Sequence, residues 1–176
     1  MDFARVLSTL AEFLEREGIP YAVIGAFGLQ AYGLGRATMD VDLVAEVGAR
    51  QRVLAFLEAL GYETLHVSSG YSNHLHPLPA MGRVDFVYVG GDTGRLLFGQ
   101  CSRVLDLGER HLPVPRPEHL AAMKVHAMQN DPGRTLQEMA DIQFLLRLPG
   151  VDEEEIRGYF ERAELLERYH EIKRLA

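Results

Sequence analysis

The chain has one cysteine, Cys101, so no disulfide can form within it, and a reducing, cytoplasmic setting is expected. Cys101 has no evident partner in "FGQCSRV" and reads as a packing residue, the usual behaviour of a free cysteine. Long apolar runs are also missing. None reaches the roughly 18 residues that a membrane span needs, so no membrane partner is expected. The opening "MDFARVLSTLAEFLEREG" carries acids and an amphipathic pattern, unlike a secretory signal. Basic residues are in deficit, 18 Lys and Arg against 25 Asp and Glu, for a formal charge of −7. That argues against an extended non-specific nucleic-acid surface, which works by neutralising phosphates with Lys and Arg. A local basic cleft stays open, and the acidic total includes any carboxylates that a bound cation would neutralise. There is no internal repeat and no low-complexity tract.

What is present is one domain's worth of chain, or one domain with a small appendage: 176 residues, of which 47% are hydrophobic. Phe3, Val6, Leu7, Leu10, Phe13 and Leu14 follow the spacing of one buried helical face over residues 3 to 17, and Gly18 stops that helix. Residues 20 to 25 read as a buried strand. A tight turn at Gly25 and a short helix ending near Gly33 or Gly35 follow. "MDVDLVAE" reads as a second strand, and "GARQRVLAFLEALG" as a helix closed by Gly61. "YETLHV" and "SNHLHPL" read as weaker strands. "RVDFVYV", 83 to 89, reads as a strong one, followed by a Gly-Gly-Asp turn. "RVLDLGERHLPVP" suggests two short strands around Gly108. From Pro117, a good first helical residue, only helices are expected: to about Gln129, from Thr135 to Leu146, and from near Asp152. The expected class is α+β, α/β-like: a small mixed sheet flanked by helices, with a helical C-terminal tail. The expected division is a core over 1–116 and a helical region over 117–176.

The chemistry gathers around "YGLGRATMDVDLVAE". Side chains alternate along a strand, so Asp40 and Asp42 share one face while Val41 and Leu43 point into the core. In "RVDFVYV", Asp85 shares the face opposite to Val84, Phe86 and Tyr88. If these strands are neighbours, three carboxylates converge. Clustered carboxylates repel unless protonated or paired with cations, and protonation requires strongly raised pKa values. A hard divalent cation, Mg²⁺ or Mn²⁺, solves the problem at lower cost. Two such ions roughly 3.5–4 Å apart would clamp an in-line phosphoryl displacement. One would hold a triphosphate; the other would activate an attacking hydroxyl beside Asp85, which would accept its proton. The plainer alternative is a chance pair of aspartates at a strand end. The neighbourhood favours chemistry. Gly25 lets backbone approach a ligand. The turn and helix after it offer N–H groups to a phosphate, and Arg36 and Thr38 are phosphate donors just ahead of the aspartates.

These residues resemble the signature of the DNA polymerase β-like nucleotidyltransferase superfamily. In that signature an apolar strand ends in Gly-Gly or Gly-Ser, Asp-x-Asp follows on the next strand, and a third carboxylate comes later, here matched by Asp85. The run from Gly33 through Arg36, Thr38, Asp40 and Asp42 is most similar to the small bacterial branch. That branch holds minimal nucleotidyltransferases and the AbiEii-like toxins of toxin–antitoxin systems. The resemblance implies an NTP substrate, two Mg²⁺ or Mn²⁺ ions on Asp40, Asp42 and Asp85, and a phosphate seat at Gly25–Ala26. The implied reaction moves NMP to an acceptor hydroxyl of a tRNA or other RNA end, a protein or a small molecule, with an antitoxin protein as a further implied partner. "LAAMKVHAMQN" and "RTLQEMADIQFLL" resemble the branch's tail. They imply that Lys124 faces the nucleotide and that Arg134 and Asp141 support the same cleft. Spacing independently puts Lys124 on the apolar side of its helix, where a packed stem with its ammonium in water is the other reading. An Arg134–Asp141 brace stands equally with direct ligand contact. One departure is Ala26, where the family has a residue such as serine whose hydroxyl would reach phosphate; only its backbone N–H can serve. A catalytically degenerate nucleotide- or partner-binding module is therefore the alternative.

Other residues carry less. His74 and His76 share a strand face, but two ligands make no zinc site. His126 reads as a surface histidine, and Arg83 as a carboxylate partner or substrate contact. "DEEEIRG" reads as acids at the positive end of a helix dipole.

Overall fold

The computed structural model describes residues 1–174. It divides into two units, Met1–Pro115 and the chain from Arg116 onward.

In the first unit, helix α1 (Phe3–Arg16) starts on Asp2, whose Oδ1 accepts from Arg5 N at 3.2 Å. It ends in a left-handed Gly18, with Gly18 N donating to Glu15 O and Ile19 N to Leu14 O. Helix α3 (Arg50–Ala59) closes the same way through Gly61, where Gly61 N donates to Glu58 O and Tyr62 N to Leu57 O. Between them come strand β1 (Tyr21–Val23), helix α2 (Gly25–Ala31), strand β2 (Asp40–Glu46) and a single 3-10 turn over Val47–Ala49. Strands β3 (Glu63–Val67), β4 (Tyr71–Leu75) and β5 (Arg83–Val89) follow.

These five strands form one mixed sheet in the order β1-β2-β5-β4-β3. Only the β2–β5 pair is parallel; β1–β2, β5–β4 and β4–β3 are antiparallel. One face of the sheet is the core. It carries Val41, Leu43 and Ala45 of β2, Val84, Phe86 and Tyr88 of β5, and Ser72 and His74 of β4, all buried. Val6, Leu7, Leu10 and Leu14 of α1 and Val53 and Leu57 of α3 are buried too, and Phe13 of α1 stacks on Phe56 of α3 at 3.8 Å between ring centroids. Burial of each such side chain stabilises by about 1.5–3 kcal/mol, which is why the apolar pattern predicts these elements.

Helix α4 (Gly91–Gly99) replaces the expected Gly-Gly-Asp turn. The glycines hide it. A Cβ at Gly94 would lie 3.3 Å from Val89 O, so close packing of the helix against the end of β5 favours a residue that propensity counts against a helix. The hairpin of β6 (Arg103–Asp106) and β7 (His111–Val114) turns at Gly108, as expected, with Gly108 N donating to Asp106 Oδ1 at 2.7 Å. Cys101 is partly buried, its Sγ donates to Leu97 O, and burial pushes its pKa up.

The second unit is helical: α5 (Pro117–Asn130), α6 (Thr135–Leu146), α7 (Glu153–Arg162) and α8 (Leu166–Arg174). Asp152 caps α7 by accepting from Glu155 N at 3.0 Å. The last helical stretch is two helices rather than one. They are separated by Glu164, which adopts φ +59° and donates to Glu161 O while Leu165 N donates to Phe160 O.

Candidate active site

The parallel pairing of β2 with β5 brings the carboxylates together. Asp42 lies opposite Asp85 in register, and Asp40 opposite Arg83. Asp40, Asp42 and Asp85 are each half-buried, and each offers an oxygen within 4.8 Å of those of the other two. The face is open beyond β5. Asn73 pairs with Asp85 and Tyr71 with Val87, while Tyr71, Leu75 and the whole of β3 are exposed.

Gly25 packs against the Asp42 member of this cluster. Ile24 N donates to Asp42 O at 3.1 Å, which holds the end of β1 against β2. Gly25 then takes φ +60°, and a Cβ there would stand 2.0 Å from Asp42 Oδ2. The close approach that the sequence suggests for a ligand is thus first an approach to Asp42 itself. Ala26 follows, buried, in the first turn of α2. Backbone N–H groups in a first helical turn have no intrahelical acceptor.

Thr38 Oγ1 donates to Asp40 Oδ1 at 2.5 Å, so in this structure the hydroxyl expected to meet phosphate serves Asp40. Arg36 is half-buried in the loop before β2, with Nη1 3.5 Å from Ala37 O. Arg83 Nε donates to both oxygens of Asp85, at 2.9 and 3.1 Å, the carboxylate pairing anticipated for it. That contact raises the arginine's pKa further above its usual value.

The donor set fits hard divalent cations. Three carboxylates on adjacent strands supply only oxygen, at a spacing that a shared ion would bridge.

On the core face behind the cluster runs a polar chain, buried except at its Thr64 end. Thr64 Oγ1 lies 3.1 Å from His74 Nδ1, His74 Nε2 2.8 Å from Ser72 Oγ, and Ser72 Oγ 2.9 Å from Tyr88 OH. Burial lowers the His74 pKa, partly offset by the charge of Asp85. His76 is engaged on both ring nitrogens, with Leu60 O and Leu78 N, so the two histidines form no zinc pair.

Within the second unit, Lys124 is buried and donates from Nζ to Glu138 Oε2 at 2.9 Å and to Asp141 Oδ2 at 2.5 Å. Arg134 pairs with Glu138, its Nη2 2.7 Å from Oε1. Glu138 is not among the residues that the sequence singles out, yet it joins Lys124 to Arg134 and is only 1% exposed. Its signal is its spacing, four residues after Arg134 and three before Asp141, which puts all three along one side of α6 and the turn that leads into it. His126 is exposed.

No protein-family model matches the sequence, and no curated protein matches it. Solved structures do resemble it. The antibiotic-resistance factor ANT(2'')-Ia in solution aligns over 99% of this chain and 97% of its own, with a TM-score of 0.71 at 13% identity. An antigenic nucleotidyltransferase-like protein from Paracoccidioides brasiliensis aligns over 98% of this chain and 90% of its own, with a TM-score of 0.60 at 19% identity. The lincosamide antibiotic adenylyltransferase LnuA, bound to lincomycin, aligns over 92% of this chain and 96% of its own, with a TM-score of 0.51 at 13% identity. The chain has the nucleotidyltransferase fold.

Proposed function

We propose that the protein is a metal-dependent nucleotidyltransferase that moves NMP from an NTP to an acceptor hydroxyl. The observation that carries this reading is the convergence of Asp40, Asp42 and Asp85, with Gly25 packed against Asp42. Two Mg²⁺ or Mn²⁺ ions held by these carboxylates would neutralise the phosphates and acidify the attacking hydroxyl. The remaining steps belong to the chain. Backbone N–H groups at Gly25 and Ala26, with Arg36, orient the triphosphate, and Thr38 joins them once a metal on Asp40 frees its hydroxyl from that carboxylate. The acceptor oxygen bonds to the α-phosphorus, the bond from that phosphorus to the β-phosphate oxygen breaks, and pyrophosphate leaves. The hydroxyl proton passes to an Asp85 carboxylate oxygen. The resemblance assigns Lys124 to the phosphates, supported by Arg134 and Asp141; its ion pairs give it a bracing role between α5 and α6 as well.

Among acceptors, a small molecule has the most support. Two neighbours of nearly the same length are an antibiotic-resistance factor and an antibiotic adenylyltransferase, and the net charge of −7 works against a large RNA. The toxin role and an antitoxin partner draw on the motif resemblance alone. No helix among the described residues is long and apolar enough to cross a membrane. A degenerate nucleotide- or partner-binding module is the second reading, resting on Ala26.

The test is a transfer assay with α- and γ-labelled NTPs over hydroxyl acceptors, including an aminoglycoside, a lincosamide and tRNA. The proposal expects label from the α position only on one acceptor, with Asp85→Asn abolishing it. Label arriving from the γ position would contradict it.

A further inference from the structure

Asp85 is claimed twice. As cation ligand and proton acceptor it must offer its oxygens to a metal and to a hydroxyl. Yet both oxygens already accept from Arg83 Nε, at 2.9 and 3.1 Å. The arrangement is dictated by the strand: residues 83 and 85 point to one face of β5, and Asp40 lies opposite Arg83 in register. The Arg83 side chain is 45% exposed against 17% for Asp85. The guanidinium therefore has solvent to turn into, and the carboxylate does not. On the open half of this face its partner in register is Leu75, which is exposed.

Charge decides what happens when a divalent ion arrives. Without one, a guanidinium beside the three carboxylates lowers their mutual repulsion. With one, the same guanidinium is a like charge next to the ion. The two cannot share Asp85 on equal terms.

Resting on the metal-site reading above, we propose that Arg83 is a built-in counter-ion that holds Asp85 in the metal-free protein and is displaced when a divalent cation binds. Arg83 thereby weakens the site for a free cation. Metal is best taken up together with the triphosphate, whose negative charge adds ligands and compensates the displaced contact. By linkage, nucleotide and cation then raise each other's affinity by the same factor. Arg83 is a positioning residue here, acting through Asp85.

The experiment is Mn²⁺ binding without nucleotide, followed by electron paramagnetic resonance, on the wild type, Arg83→Gln, Arg83→Met and Arg95→Gln. Arg95 makes its ion pair with Asp92 on α4, so its variant removes the same charge elsewhere. We expect Arg83→Gln and Arg83→Met to bind Mn²⁺ about three- to tenfold more tightly than wild type, with Arg95→Gln unchanged. The rise in melting temperature produced by Mn²⁺ should also be larger in both Arg83 variants, a readout that needs no activity. Equal or weaker binding in the Arg83 variants would overturn the inference and leave the metal site standing, as would an equal gain in Arg95→Gln. If no protein binds Mn²⁺, or if Asp40→Ala/Asp42→Ala binds as wild type does, the metal site fails and the inference with it.

Discussion

Gly25 and Asp42 are locked together: a Cβ on the glycine would overlap the aspartate carboxylate, 2.0 Å from Oδ2 and 2.7 Å from Cγ. Gly25 also takes φ +60°, a conformation that costs an L-residue about 1–2 kcal/mol before any clash. Gly25→Ala should therefore displace Asp42 and abolish Mn²⁺ binding. Gly33→Ala is the control, since Gly33 has φ +104° but nothing within 4 Å of its missing Cβ. It should lose stability and keep the site. Thermal melting and Mn²⁺ titration of the two variants check this.

Lys124 makes a second prediction. Its side chain is 8% exposed, and those of Glu138 and Asp141 are 1% and 4% exposed. Lys124→Met leaves two carboxylates buried without their ammonium, and breaking a buried pair in this way costs about 3–5 kcal/mol. Urea unfolding should show that loss. A Lys124→Met protein as stable as wild type would mean that the lysine serves ligand alone.

The buried histidines set a pH dependence. His74 and His119 both have pKa values lowered by burial, for His119 with the charge of Arg116 adding to it. A histidine whose folded pKa lies below its unfolded value of about 6.5 binds protons more readily unfolded. Its contribution is full above that value and is lost as pH falls from there toward the folded pKa. Stability measured by urea unfolding should decline in that window, and less steeply in His74→Gln, which keeps a neutral polar group beside Ser72 and Thr64.

Glu164 is the one non-glycine residue with positive φ among those described. It closes α7 where glycine is usual. Glu164→Gly should stabilise by up to about 1 kcal/mol and raise the melting temperature. An unchanged or lower melting temperature would argue against the left-handed turn.

Much of the fold and of the site is legible in the amino-acid sequence. The alternation in "MDVDLVAE" and "RVDFVYV" puts Asp40, Asp42 and Asp85 on one kind of face, because strand periodicity is a local property. That β2 and β5 are parallel neighbours is not local, and only the sheet order supplies it. Arg83 can be seen as a partner for a carboxylate, but its grip on both oxygens of Asp85 depends on a rotamer that spacing does not specify. Glu138 escapes a sequence reading because an acid in a helix usually reads as solvated; its burial comes from α5 packing on α6. Helix α4 is lost among its glycines for the same reason, since packing overrides propensity.

The most direct test of the central claim is calorimetric titration of ATP, CTP, GTP and UTP in Mg²⁺ or Mn²⁺, comparing wild type with Asp40→Ala/Asp42→Ala. The account predicts metal-dependent binding of at least one nucleotide by the wild type and none by the variant. Binding that persists in the folded variant, or wild-type binding indifferent to metal, would contradict it.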